Sequence, residues 1–150
     1  MAKGDPAPKA LCCYGVLRTD RAQTRRRVVE GRPVSHVTAA FLAWLPQQMA
    51  AEQKRVLALI WDNASWPISR EVRTWIRQHN QQAKRHGGVR LLLCRLPVQS
   101  PWLNPLEPRW VHGKRAVVEP ARLLTAPALM SRVYAYFETE SLEPLKQYVA

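Results

Sequence analysis

Two apolar stretches with an amphipathic segment between them form the clearest pattern along this chain. Val56–Trp61 is apolar throughout and residues 89–96 are mainly apolar, as in strands that are buried on both faces of a parallel sheet. Between them, apolar side chains recur at helical spacing from Ile68 to His79, and Ser69 is placed to cap that helix. Strand, helix and strand at this length predict a βαβ unit with a right-handed crossover.

The pattern before this unit predicts a hairpin followed by a helix. Residues 10–18 are apolar and predict a strand, and residues 25–31 predict the strand that returns beside it. Apolar residues at helical spacing predict a helix over 36–52, with Ser35 as its cap and Pro46 as a kink.

The pattern after the unit predicts a proline-rich connection and more helix. Residues 97–108 are rich in proline, and residues 106–118 predict a helix that begins near Pro105, since proline favours the first helical turn. Residues 121–149 repeat apolar positions near helical spacing and predict further helix.

Composition points to a globular, basic protein. The chain has 150 residues, of which 47% are hydrophobic, which is enough for one domain with a core. Its 23 lysine and arginine residues outnumber 11 aspartate and glutamate residues, giving a net charge of +12. This excess favours a polyanionic partner through attraction to phosphates and release of their counterions. The alternative is a basic protein whose charged face is only solvated.

Three cysteines without a CxxC pair predict neither a disulfide framework nor a structural zinc site. Cys12, Cys13 and Cys94 are expected to be small buried side chains in a reducing compartment. No apolar run approaches the ~18 residues of a membrane span, and the N-terminal residues lack the apolar core of a signal peptide. The expected location is the cytoplasm, with no membrane partner.

Two isolated acids in this basic chain are candidates for metal binding. Asp62 follows the predicted strand Val56–Trp61, and Glu107 stands at the start of a predicted helix. Open α/β sheets bind ligands at the carboxyl ends of their strands. Mg²⁺ takes hard oxygen ligands, and two such ions can clamp the attacking and leaving oxygens of a phosphodiester exchange. From spacing alone, each acid is also compatible with a helix cap or a salt-bridge partner.

The amino-acid sequence around these acids resembles that of a known family. The sequences IWDNASW and LPVQSPWLNPLEPRWVHGKR are similar to the catalytic domain of bacterial insertion-sequence transposases of the mariner superfamily, over residues 9–119. These are DDE/D enzymes with an RNase H-like fold. The resemblance implies that Asp62 and Glu107 are the second and third metal carboxylates. It also implies Mg²⁺- or Mn²⁺-dependent cleavage of transposon ends and strand transfer through a 3′-hydroxyl.

Further residues of the two motifs are candidates for shaping this site. Asn63 can hold the loop after the strand, while Pro101, Asn104 and Pro105 can fix the entry of the helix so that Glu107 faces the strand end. Trp102 and Trp110 are expected to be core aromatics that pack this helix down. His112, Lys114 and Arg115 are candidates for contacts to DNA phosphates, which orient a duplex without reading its sequence. An exposed basic turn is an equal alternative for those three.

The chain departs from the family at its beginning. The family's first catalytic Asp would lie upstream of the strand at 10–18, and Asp5 and Asp20 are the available substitutes. The helix–turn–helix DNA-binding domain of the family is also not found. We therefore expect a truncated transposase with an α/β fold, an RNase H-like mixed sheet flanked by helices that lacks its first strand. Such a fragment is expected to cleave DNA poorly alone and to be marginally stable or self-associating.

The expected organisation is a mobile arm at 1–9, a partial RNase H-like DDE catalytic domain at 10–120, and a C-terminal helical segment of the same domain at 121–150. Its expected partners are DNA, as transposon ends and target, and a second copy or an intact transposase. A competing interpretation is a non-catalytic, basic nucleic-acid-binding remnant that interferes with an intact transposase. Another RNase H-like nuclease, such as a resolvase, is a third alternative.

Overall fold

The computed structural model describes residues 12–61, 69–97, 100–118, 124–137 and 142–146. These residues form a mixed α/β structure, which confirms the predicted class. The elements in chain order are β1 (Cys12–Arg18), β2 (Gln23–Glu30), α1 (Ser35–Ala50), β3 (Val56–Trp61), α2 (Arg70–His86), β4 (Arg90–Arg95), a 3₁₀ turn (Pro101–Leu103), α3 (Glu107–Val117), α4 (Ala126–Tyr136) and β5 (Leu145–Lys146).

Contacts between residues divide the chain into two compact units. The hairpin unit comprises Met1–Pro33 and Pro105–Ala150, and the crossover unit comprises Val34–Asn104. The hairpin unit holds a three-stranded sheet in the order β1-β2-β5, while the crossover unit holds the two-stranded sheet β3-β4.

The hairpin unit is built on the predicted pair of antiparallel strands. β1 and β2 pair from Cys12↔Val29 to Arg18↔Gln23. The returning strand begins at Gln23, slightly earlier than residues 25–31 predict, because the turn closes through Ala22 with a left-handed φ of 52°. The hairpin is therefore confirmed with a shorter turn.

The prediction of further helix over 121–149 is confirmed in part and corrected near the C-terminus. The described helix in this range is α4, Ala126–Tyr136, and Leu145 and Lys146 instead form β5, parallel to the end of β2. The hydroxyl of Tyr134 donates to the carbonyl of Leu142 at 3.1 Å, which ties the chain leaving α4 to that helix. The strand depends on pairing with β2, and a two-residue strand has no periodic pattern of its own.

The crossover unit contains the predicted βαβ arrangement. β3 and β4 are parallel, in register from Val56↔Arg90 to Trp61↔Arg95, and α2 connects them. Ser69 caps α2 as predicted, since its hydroxyl accepts the backbone N–H of Val72 at 3.1 Å.

Two polar side chains of α2 fix this helix to the chain that enters and forms β4. The amide of Asn80 donates to the carbonyl of Leu91 at 2.8 Å and accepts the N–H of the same residue at 2.7 Å. The Nε2 atom of His79 lies 2.9 Å from the carbonyl oxygen of Val89. These three contacts connect α2 to β4 and to the residue before it.

The expectation that this sheet is buried on both faces is wrong. Leu59 and Leu91 are buried, but Ile60 and Leu92 are 60% and 56% exposed and Val56 is also exposed. Successive side chains of a strand point to opposite faces, so alternate positions of one apolar run have different surroundings. An apolar run alone does not reveal what covers each face.

The prediction that Ser35 caps α1 is wrong. Ser35 is the first helical residue, Val34 occupies the cap position, and no side chain caps the helix. The hydroxyl of Ser35 instead donates to the hydroxyl oxygen of Ser69 at 2.9 Å, which joins the starts of α1 and α2. Pro46 lies inside α1 as predicted.

No described helix has both the length and the apolar character required to cross a membrane.

Candidate metal and nucleic-acid site

Glu107 is an exposed carboxylate at the start of α3. It is the first residue of that helix, and its side chain is exposed. Within the described residues it makes no hydrogen bond or ion pair. A carboxylate in the first turn of a helix is favoured by the helix dipole. Because the side chain is exposed, an external ligand such as a metal ion can reach its oxygens.

Close packing in the hairpin unit sets the position of α3. Trp110, one turn after Glu107, lies so near Gly15 of β1 that a Cβ there would stand 2.5 Å from the indole ring. One turn further along, Gly113 meets the ring of Phe137 with no room for a Cβ. The lack of a side chain at Gly15 and at Gly113 therefore allows α3 to pack closely within the hairpin unit.

Arg26 of β2 is a buried cation enclosed by the aromatic rings of this packing. Only 2% of its surface is exposed. Its guanidinium carbon lies 3.1 Å from the ring centroid of Phe137 and 5.4 Å from that of Trp110. Among the described residues, none of its three guanidinium nitrogens has a hydrogen-bond partner. Burial lowers the pKa of Arg26 to about 10. The aromatic faces partly replace the lost water by cation–π attraction.

The sequence pattern contains a signal for the burial of Arg26. A basic run such as Arg25–Arg27 usually forms a solvated face, but here it lies on a strand. Strand alternation places Arg26 on the same face as Val28, opposite Gly15 across the ladder. A long side chain beside a glycine and a buried valine has space to lie over the sheet.

Asp62 and Asn63 lie outside the described residues. They follow Trp61, the last residue of β3, in the sequence. The strand pairing persists to this point, since the N–H of Leu96 donates to the carbonyl of Trp61 at 3.0 Å. The roles of Asp62 as a metal ligand and of Asn63 as a loop anchor therefore stay predictions.

The segment before α3 forms a short turn in the crossover unit. Pro101 lies in the 3₁₀ turn, which is closed by the N–H of Leu103 donating to the carbonyl of Ser100 at 3.1 Å. Asn104 is half-buried and Pro105 is exposed. α3 starts two residues after Pro105, and the proline in its first turn is Pro108.

One of the two tryptophans expected in the core is not there. Trp110 is partly buried against Gly15, as predicted, but Trp102 is 77% exposed. Trp102 belongs to the 3₁₀ turn and not to the packed face of α3, so nothing among the described residues holds it down.

His112, Lys114 and Arg115 are exposed on α3. They flank Gly113, which is buried against Phe137, so the helix is anchored where it carries these side chains. This exposure is compatible both with phosphate contacts and with a solvated basic turn. Their role in DNA binding stays a prediction.

Asp20, one of the two substitutes for a first catalytic aspartate, is engaged elsewhere. Its carboxylate accepts from Nε and a terminal nitrogen of Arg18, at 3.1 and 2.7 Å. The Arg18 side chain is 6% exposed and the Asp20 side chain 49%. This two-point pair closes the β1–β2 turn, so a metal ion would compete with Arg18 for these oxygens. Asp5 lies outside the described residues.

The described donors alone do not complete a metal site. Within the described ranges there is no group of three or more His, Cys, Asp or Glu side chains that could hold an ion. Glu107 fits a hard divalent cation by the chemistry of its exposed carboxylate oxygens. The second expected ligand, Asp62, is outside these ranges.

Comparison with known proteins identifies the family. A family model described as DDE superfamily endonuclease matches residues 9–129, which include both acidic motifs. No curated protein and no solved structure matches the chain. DDE nucleases generally use divalent metals and act on DNA, and the match extends over most of the sequence. The chain belongs to the DDE superfamily endonucleases.

Proposed function

We propose that this chain carries out metal-dependent DNA cleavage and strand transfer as the catalytic part of an insertion-sequence transposase of the mariner superfamily. The observation that supports this most strongly is the family match over residues 9–129, which spans the IWDNASW and SPWLNPLE motifs. The net charge of +12 supports a DNA substrate. The antiparallel hairpin and the parallel βαβ unit are components that an RNase H-like sheet would contain.

Asp62 and Glu107 are the proposed ligands of Mg²⁺ or Mn²⁺. Both are carboxylates, the donor type that these cations prefer, and Glu107 has no competing partner among the described residues. When bound, the cation stabilises negative charge on the phosphate and favours the deprotonated form of the attacking oxygen. Glu107 is held at the start of a helix whose packing leaves little freedom, because Gly113 meets Phe137 directly.

Other residues orient the DNA and the site in this proposal. His112, Lys114 and Arg115 contact backbone phosphates from the exposed side of α3. Asn63, Pro101, Asn104 and Pro105 shape the two segments that carry the acids. Since Asp20 is engaged by Arg18, we expect cleavage by the isolated chain to be slow unless a further carboxylate joins Asp62 and Glu107.

A second candidate is a non-catalytic DNA-binding protein that acts by mixed assembly with an intact transposase. The excess of basic residues favours it, because a positive charge attracts DNA whether or not the chain cleaves it. In that case DNA affinity would be sensitive to salt and indifferent to divalent metal.

Binding of Mn²⁺ to the purified chain, followed by electron paramagnetic resonance, tests the ligand assignment. We expect Asp62→Ala and Glu107→Ala each to weaken Mn²⁺ binding at least tenfold. Glu71→Ala is the matched control, because Glu71 is also an exposed acid in the first turn of a helix and should leave binding unchanged.

Equal Mn²⁺ affinity in all four proteins would exclude Asp62 and Glu107 as the metal ligands. If those proteins also bound DNA equally with and without metal, the non-catalytic alternative would be favoured.

A further inference from the structure

The solvent face of α2 carries a row of cations that the proposed nuclease site does not use. We call Arg70, Arg73, Arg77, Lys84 and Arg85 the α2 stripe. All five are exposed. Their spacing repeats close to multiples of 3.6 residues, so they project from one side of the helix. Neutral Thr74, Gln78 and Gln81, also exposed, lie among them.

Cations greatly outnumber acids on α2. Glu71 is the one acidic residue of the helix. Within the described residues, no carboxylate forms an ion pair with any of the five cations. Arg73 and Arg77 are four residues apart, where like charges repel along a helix. The stripe therefore adds a net positive field and no internal salt bridges.

The first turn of α2 carries cations at a place where the helix dipole disfavours positive charge. Arg70 and Arg73 stand at the N-terminal end, which is the positive end of the helix dipole. Lys84 and Arg85 stand in the last turn, where the dipole favours cations, so the dipole accounts for only part of the stripe. An external anion would relieve the repulsion at the first turn.

Other positions of α2 anchor the helix, so the stripe is presented on a fixed support. Val72 is buried, Asn80 makes two hydrogen bonds to Leu91, and His79 contacts the carbonyl of Val89. Because these contacts hold α2 against β4 and the residue before it, the helix cannot also insert into a lipid surface. The geometry therefore favours a polyanion over a membrane.

The dimensions of the stripe suit a nucleic-acid duplex. Arg70 and Arg85 are separated by about 22 Å at the helical rise of 1.5 Å per residue. Duplex DNA carries one phosphate charge per ~1.7 Å of its axis, so this length faces about six base pairs. Four of the five cations are arginines, whose planar guanidinium binds phosphate oxygens at two points.

We propose that the α2 stripe is a second DNA-binding surface, which holds backbone phosphates of duplex DNA without reading base sequence. It lies on the crossover unit and is separate in sequence from the α3 cations proposed above. It requires neither metal nor cleavage. Its failure would therefore leave the nuclease proposal standing, and the reverse also holds.

The test is the salt dependence of binding to a 30-base-pair duplex of arbitrary sequence in EDTA. The stripe variant is Arg70→Gln, Arg73→Gln, Arg77→Gln and Lys84→Gln combined. The control combines Lys54→Gln, Arg55→Gln, Arg90→Gln and Arg95→Gln, which removes four exposed cations from the same unit. We expect the stripe variant to reduce the slope of log affinity against log salt by about 3.6, and the control by less than about 1.

Equal reductions in both variants would mean that net charge alone governs binding, and an unchanged slope in the stripe variant would mean that α2 does not touch DNA. Either result overturns the proposal. So would binding to anionic phospholipid vesicles that the stripe variant loses while its DNA binding persists. Glutamine has a helix propensity close to that of arginine, and circular dichroism verifies that α2 still forms.

A second measurement uses the unchanged protein, so it does not depend on the folding of variants. Amine acylation followed by mass spectrometry reports the accessibility of Lys84 in the stripe and of Lys54 outside it, both exposed. We expect duplex DNA to protect Lys84 at least fivefold and to leave Lys54 unprotected. Equal protection, or protection of Lys54 alone, would contradict the proposal.

Discussion

At the scale of single residues, Arg26 is the most unusual side chain of the described structure. A guanidinium that is 2% exposed and has no hydrogen-bond partner among the described residues carries a desolvation cost. Such costs amount to several kcal/mol for a buried ion, against about 2 kcal/mol from a desolvated cation–π contact. The aromatic rings of Phe137 and Trp110 therefore compensate this charge only in part.

Replacing Arg26 by methionine should stabilise the protein. Methionine keeps most of the volume under Phe137 and removes the charge, so we expect the free energy of unfolding to rise by about 1–3 kcal/mol. Arg26→Ala should instead destabilise by about 2 kcal/mol or more, because it leaves a cavity. Urea denaturation measures both, and a methionine variant as unstable as the alanine variant would show that the guanidinium is well compensated.

Cys13 provides a pH-dependent prediction at the same scale. Burial raises the pKa of this thiol to about 12 from an ordinary value of 9.0. The folded state then keeps its proton while the unfolded state loses it, so stability is full below pH 9 and falls between about pH 9 and 12. Cys13→Ala should flatten this fall, measured as the free energy of unfolding at pH 8 and pH 10.5.

Thiol labelling offers an internal control for that prediction. Cys94 is exposed, whereas the pKa values of Cys12 and Cys13 are both raised by burial. Because the thiolate is the reactive form, Cys94 should react first with a disulfide reagent at pH 8. Rapid labelling of Cys13 in the folded protein would contradict its burial.

At the scale of elements, the approach of α3 depends on two glycines. Gly113 faces the Phe137 ring and Gly15 faces Trp110, in both cases without space for a side chain. α3 in turn carries Glu107 at its first position and the three exposed basic residues on its outer side. The packing of α3 in the hairpin unit therefore holds the residues of this helix that we propose for metal and DNA binding.

Gly113→Ala should destabilise the protein although alanine is the better helix former. The added methyl would overlap the Phe137 ring, and overpacking of this kind costs about 1–3 kcal/mol against a gain of about 1 kcal/mol in helix propensity. Gly88→Ala is the control, since its nearest neighbour would be at an ordinary 3.4 Å. Thermal or urea unfolding that shows no loss in Gly113→Ala would contradict the tight packing.

At the scale of the whole molecule, the sequence predicted local elements better than their surroundings. The hairpin, α1 and the βαβ unit follow from local apolar periodicity, and the Ser69 cap follows from a hydroxyl before an amphipathic run. β5 was missed because a two-residue strand exists only through its pairing with β2. The exposure of Ile60 and Leu92 was missed because it depends on the packing around the sheet.

The candidate site was predictable in a similarly uneven way. The position of Glu107 at the start of a helix could be read from the proline-rich segment before it, and the family from the two acidic motifs. The ion pair between Asp20 and Arg18 could not be predicted from the sequence, because it depends on the geometry of one turn. The charge of the chain predicts a polyanionic partner, whereas the α2 stripe depends on which side chains of α2 are exposed in the folded protein.

The most direct test of the nuclease proposal is nicking of supercoiled plasmid by the purified chain in Mn²⁺, beside Asp62→Asn, Glu107→Gln and Glu71→Gln. We predict slow nicking that requires metal, falls at least a hundredfold in the first two variants and is unchanged in the third. Nicking that survives both substitutions would contradict the proposal. Its complete absence from the unchanged protein, with DNA binding retained, would favour the non-catalytic alternative.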